Sequence, residues 1–155
     1  MIMGRDMAPV IVFTFSQKLC EDYALQMNEI NFNDSIDEYT IVEIFYNAID
    51  TLSHEDKSLP RITNMLSLLK RGIGIHHSGL LPFLKKTVEM LFLDGLVKAL
   101  FATETFATDV NMLARTVLYS DTQKYVGIFS STLHGEEFIP MCGRAGRKSI
   151  EKKEF

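Results

Sequence analysis

Cationic residues are in the minority: 16 Lys and Arg stand against 20 Asp and Glu, a formal net charge of −4. A chain with that balance has no general attraction for polyanions, so any nucleic-acid contact must be local, made by a few residues on one edge. Cysteine is scarce too. Cys20 and Cys142 make no metal-ligand spacing and suggest no disulfide, which leaves a reducing compartment as the default. No apolar run approaches the ~18 residues of a membrane span. The opening MIMGRDMAPV lacks the charged and apolar regions of a signal peptide and reads as a cut in a longer chain. Internal repeats and low-complexity segments are missing as well, and 46% apolar with 23% charged residues is an ordinary globular composition.

Two nucleotide signatures are also lacking. A P-loop needs Gly-x-x-x-x-Gly-Lys-Ser/Thr between a strand and a helix; Arg147-Lys148-Ser149 resembles its end, but no glycine precedes the lysine. No Gly-x-Gly-x-x-Gly occurs either, which disfavours a dinucleotide enzyme. Such a chain is not expected to bind and hydrolyse a nucleotide alone.

What is present is a strand-and-helix alternation. At 155 residues the chain suits one domain with a hydrophobic core. Val10 to Phe15 is a continuous apolar run, as expected of a strand buried on both faces, and Ser16 is placed to cap the helix that follows. Leu19, Cys20, Tyr23, Ala24, Met27 and Ile30 fall on one face of that helix, which the polar NFNDSIDEY ends. Ile41, Ile44, Phe45, Ala48, Ile49 and Leu52 give the clearest amphipathic helix, SHEDKS reads as a loop, and Pro60 opens a helix that Gly72 ends. A short strand at Ile73 to Ile75 leads into His76-His77-Ser78-Gly79. Pro82 then opens a helix closed by Gly95, strands follow at Val97 to Phe101 and Thr116 to Tyr119, and Glu136 to about Arg147 reads as helical. This order predicts an α/β fold, a parallel sheet flanked by helices. Ligands of such sheets sit beyond the carboxyl ends of the strands, where Ser16, His76 to Gly79 and Thr103 to Thr105 fall.

The MCGRAGRKS segment carries the most pointed chemistry. Arg144 and Arg147 each follow a glycine, and two guanidinium groups so placed suit an anion, phosphate above all. Read alone, the pentapeptide Gly-Arg-Ala-Gly-Arg fits a solvated basic turn better than a pair of fingers lent to a neighbouring phosphoryl site; the rest of the chain has to move that balance. His76-His77 invites a metal reading, but adjacent side chains project apart and no third ligand is spaced to join them; loop hydrogen bonding is the expected role. Glu104 is tied by spacing to no acid or nucleophile. The hydroxyls of Thr103 and Thr105 suit phosphate oxygens of a nucleic-acid strand. Cys142 has cationic neighbours but reads as a bystander.

Over nearly its full length the chain resembles the second RecA-like domain of the superkiller-type DExH RNA helicases. The residues that carry the likeness are APVIVFTFS, RGIGIHHSGLLP, VKALFATETF with VNM, and GEEFIPMCGRAGR, in that order. Within the group, the insert containing FYNAIDTL and DKSLP looks like that of the nuclear helicase that feeds RNA to the exosome. The resemblance implies a single RecA-like helicase C-terminal domain over 1–155, with a helical insert about 31–70. It implies that ATP, with Mg2+, is bound mainly by a first RecA-like domain carrying the P-loop and DExH box, and that this lobe forms the other wall of the cleft. Arg144 and Arg147 would then be the catalytic arginines, with Arg147 the finger, and Gly143 and Asn111 would join them in contacting ATP. Ser16, His77, Ser78, Gly79, Thr103, Glu104 and Thr105 would contact RNA. The segment from Ser120 to His134 would be a β-hairpin that parts the duplex during 3′-to-5′ unwinding. Implied partners are RNA, the first RecA-like domain, the RNA exosome and polyadenylation-complex proteins, in the nucleus or nucleolus, the cytoplasm being the alternative.

The chain departs from the pattern at named positions. Asp109 stands where the family has glycine, Leu113 where it has proline, and Pro140 where it has glutamine; the hairpin has Lys124-Tyr125-Val126-Gly127 in place of Lys-x-Asp-Gly. A carboxylate in a phosphate-facing turn repels the ligand and denies a glycine-only backbone conformation. These changes raise the alternative of a degenerate, non-catalytic lobe acting as an RNA- or protein-binding scaffold. With its net negative charge, the isolated chain is expected to bind RNA weakly and with a steep salt dependence.

Overall fold

A computed structural model describes residues 9–106, 114, 116–120, 123–126 and 129–132. The apolar run after Pro9 becomes β1 (Val10–Thr14), buried along its whole length. Four helices follow: α1 (Gln17–Gln26), α2 (Ser35–Ala48), α3 (His54–Lys57) and α4 (Pro60–Lys70). Then come β2 (Ile73–His76), α5 (Pro82–Leu93), β3 (Ala99–Thr103) and β4 (Thr116–Tyr119), and finally β5 (Gln123–Val126) and β6 (Phe129–Thr132). The first four strands form one sheet in the order β2-β3-β1-β4, parallel at every pairing. The expected α/β architecture, a parallel sheet flanked by helices, is present. Strands β5 and β6 pair antiparallel with Val126 opposite Phe129, a hairpin inside the Ser120–His134 segment.

Parallel strands have to be buried on both faces, because the crossover helices cover them. The centre of the core is accordingly β1 and β3, with Val10, Ile11, Phe13, Ala99, Leu100 and Ala102 fully inaccessible. Helix α5 adds Leu84, Val88, Leu91 and Phe92, and α2 adds Ile41 and Phe45. Gly72 and Gly95 end α4 and α5 as expected: each has a positive φ, 83° and 75°, which a side chain would oppose.

Several boundaries differ from the sequence reading, each for a local reason. Helix α1 stops at Gln26, with Met27 as its C-cap, so Ile30 lies beyond the helix. NFNDSIDEY does not merely end α1; it contains the start of α2, whose cap Asp34 accepts the N–H groups of Ile36 and Asp37. SHEDKS is one helical turn, not a loop, because the Ser53 hydroxyl accepts the Asp56 N–H at 3.1 Å and donates to its carboxylate at 2.8 Å. Strand β2 continues one residue further, to His76. Strand β3 is shifted two residues toward the C-terminus, since the Leu96 and Val97 amides turn back to the Leu91 carbonyl and complete the end of α5. The expected Glu136–Arg147 helix lies outside the described residues.

Candidate functional site

The parallel sheet sets the geometry of its carboxyl edge. Thr14 pairs with Thr103, and Ala102 with His76, so β1, β3 and β2 end side by side. The loops holding Ser16, His77 to Gly79, and Thr103 to Thr105 therefore leave three neighbouring strands at one edge.

Ser16 is committed to capping α1: its hydroxyl accepts the Leu19 N–H at 3.4 Å. Its carbonyl accepts the hydroxyl of buried Thr14 at 3.1 Å. The same Thr14 oxygen lies 2.8 Å from Cys20 Sγ. Burial pushes the Cys20 thiol up to about 11, the Glu21 and Glu104 carboxylates acting in the same direction against the Thr14 hydrogen bond.

The adjacent histidines diverge, as the sequence suggested. His76 Nε2 lies 2.9 Å from Glu89 Oε1 of α5, and its ring meets Phe106 edge-on with centroids 4.8 Å apart. His77 turns to α1: Nε2 lies 3.1 Å from Glu21 Oε1, and Nδ1 accepts the Gly79 N–H at 3.1 Å. Both rings serve hydrogen bonding, and no cluster of metal-ligating side chains occurs among the described residues. Ser78 is exposed, with its hydroxyl oxygen accepting the Gln17 Nε2–H at 2.9 Å. Thr103 and Thr105 share a hydrogen bond of 2.9 Å, Thr103 being buried and Thr105 half-buried. Glu104 is also half-buried.

Beside the His77 loop a cleft of about 400 Å³ opens between α1, α4 and α5, with Glu21, Arg61 and His77 on its polar side and Met65, Leu68 and Leu84 among its apolar lining. Chemically, the edge offers hydroxyls and shaped backbone, suited to holding a phosphodiester strand in place.

Gln17, Glu21, Glu89 and Phe106 escaped the sequence reading. The spacing of Gln17 and Glu21, four residues apart on a polar helix face, is a signal too common to have singled them out. Gly143, Arg144, Arg147 and Asn111 lie outside the described residues, as do Asp109, Leu113, Pro140 and Cys142.

No protein-family model matches the chain. Individual relatives do. It is 55% identical over 153 residues to the exosome RNA helicase MTR4 of Mus musculus, covering 99% of this chain and 15% of that protein. Against the ATP-dependent RNA helicase mtr4 of Schizosaccharomyces pombe the identity is 48% over 153 residues, 99% of this chain and 14% of the relative. Against the antiviral helicase SKI2 of Saccharomyces cerevisiae it is 44% over 147 residues, 95% of this chain and 11% of the relative. The chain thus spans roughly one seventh of the MTR4 relatives' length. Identity of this order along almost every residue, on a parallel helix-covered sheet of the RecA-like kind, makes the chain a segment belonging to the MTR4/SKI2-type DExH RNA helicases.

Proposed function

We propose that this chain is the second motor lobe of an ATP-dependent RNA helicase that unwinds 3′-to-5′ and feeds RNA to the exosome. The observation that carries the reading is the 44–55% identity to named RNA helicases over nearly the whole chain; the convergence of three polar loops on one sheet edge supports it. Ser16, His77 to Gly79 and Thr103 to Thr105 hold the RNA backbone without reading sequence. The Gly79 amide is occupied by His77 Nδ1, so Gly79 contributes close approach rather than a donor. Arg144 and Arg147 face the ATP phosphates across a cleft whose other wall, with the P-loop, DExH box and Mg2+, belongs to the first RecA-like lobe. Gly143 lets that backbone come close, and Asn111 lies toward the ribose. Arg147 lends a permanently charged, forked cation to the phosphoryl group as negative charge builds there. The hairpin β5–β6 parts the strands. The working compartment is the nucleus, with the exosome and polyadenylation-complex proteins as partners.

The experiment is RNA-stimulated ATP hydrolysis by the helicase carrying this chain. Arg147→Ala is expected to lower turnover by roughly 10³-fold or more, the scale of an arginine finger. Unchanged turnover would remove Arg147 from that role. A second reading, a non-catalytic lobe kept as an RNA- or protein-binding scaffold, is favoured by Asp109, Leu113 and Pro140. Duplex unwinding from a 3′ overhang, driven by ATP, would eliminate it.

A further inference from the structure

We infer that Glu21, with Gln17 one turn before it on α1, is a positioning residue for the loop His77–Gly79; the inference rests on reading that loop as an RNA contact. The His77 ring is almost wholly enclosed, its side chain 4% exposed, and its two nitrogens have different partners. Nδ1 accepts the Gly79 N–H, so it carries no proton. A neutral imidazole then has its proton on Nε2, facing Glu21 Oε1 at 3.1 Å. A carboxylate accepts and cannot donate, so it is the partner this tautomer requires. Glu21 thereby selects the ring form whose bare nitrogen closes the loop over Gly79.

Gln17 acts from the same helix face, four residues away. Its amide N–H holds the Ser78 oxygen at 2.9 Å. The loop is packed against both groups: a Cβ at Gly79 would lie 2.5 Å from Gln17 Oε1 and 3.1 Å from His77 Nδ1. Were the imidazole to take its other tautomer, an Nδ1–H would oppose the Gly79 N–H, donor against donor, and the loop would open. Glu21 itself is 54% exposed at its side chain, so replacing it alters the loop rather than the core.

The test compares Glu21→Gln with Glu21→Lys in the helicase that carries this chain. Two readouts are taken: the His77 tautomer from 15N spectra of histidine-labelled protein, and binding of a fluorescent single-stranded oligoadenylate by anisotropy. Gln can turn its amide oxygen to Nε2–H, so both readouts should stay as in the parent. Lys offers donors only, should move the proton to Nδ1, and should weaken RNA binding roughly fivefold, the equivalent of one hydrogen bond. A plain charge effect runs the other way, since an added cation tightens RNA binding. An unchanged tautomer in Glu21→Lys, or equal weakening by Gln and Lys, overturns the positioning role. Ser78→Asp, which puts a carboxylate on the exposed loop, separates the two levels of the argument. If it weakens binding while Glu21→Lys does not, the Glu21 inference fails alone; if neither weakens binding, the loop is not an RNA grip and both readings fall.

Discussion

Thr14 has one hydroxyl proton and gives it to the Ser16 carbonyl. An ionised thiolate would draw that proton, which is why the bond works against burial; with Thr14 donating to Ser16, the threonine oxygen is the acceptor of the 2.8 Å contact and the Cys20 thiol its donor. That requires a protonated thiol, which is what burial enforces by pushing Cys20 from its ordinary 9.0 to about 11. The consequence for stability has a definite sign. Below pH 9 both folded and unfolded chains keep the proton, and the term is constant. Between about 9 and 11 the unfolded chain loses it first, so stability falls as pH rises, by up to about 2–3 kcal/mol. Urea unfolding from pH 8 to 11 should show this extra slope in the parent chain and not in Cys20→Ala. Equal slopes in both would mean that the thiol titrates normally when folded. At neutral pH the buried, protonated thiol should also resist alkylation. The sequence places Cys20 on the inner face of a helix by periodicity. It does not indicate the Thr14 partner, because the strand end and the helix meet only once the Ser16 turn is folded.

Among whole elements, what was legible is what local chemistry decides. Continuous apolar runs became strands, three-and-four spacing became helices, and Gly72 and Gly95 closed helices in the left-handed conformation. The strand-end hydroxyls were legible for the same reason, since the polar stretches begin where the apolar runs stop. Pairings across the fold were not: Glu21 with His77 spans 56 residues, and Gln17 with Ser78 spans 61. Asn33 is the clearest such case. In the sequence it is one residue of a polar patch, but it is buried, with its amide donating to the carbonyls of Lys70 at 3.3 Å and Leu96 at 3.0 Å. It thus joins the α1–α2 connection to the end of α4 and to the turn before β3. Asn33→Leu should cost about 1–3 kcal/mol, because it removes the partner of these two carbonyls. Thermal or denaturant unfolding would measure the loss, and a change within error would show that water takes over both bonds.

At the scale of the whole molecule, charge and site chemistry pull in different directions. A net charge of −4 opposes a polyanion in general, and lone-chain RNA binding is expected to be weak on that ground. Salt dependence is set by something narrower, the number of RNA phosphates that lysines or arginines neutralise, each contributing about −0.7 to the log–log slope on a single strand. The described edge is built of Ser, Thr and backbone, with Glu21 and Glu104 close by, and hydroxyl contacts release no counterions. Contacts made by this described edge alone are expected to give a slope shallower than the steep one expected from net charge. Among the described residues, Lys18, exposed two residues after Ser16 in the first turn of α1, and Arg61, on the cleft beside the His77 loop, are cations placed to contribute. Titrating a single-stranded oligonucleotide at several salt concentrations should give a slope nearer −1 than −4, and Lys18→Ala should flatten it by about 0.7. A slope that remains steep in Lys18→Ala would mean that RNA is held elsewhere, by a basic surface distinct from the strand-end loops.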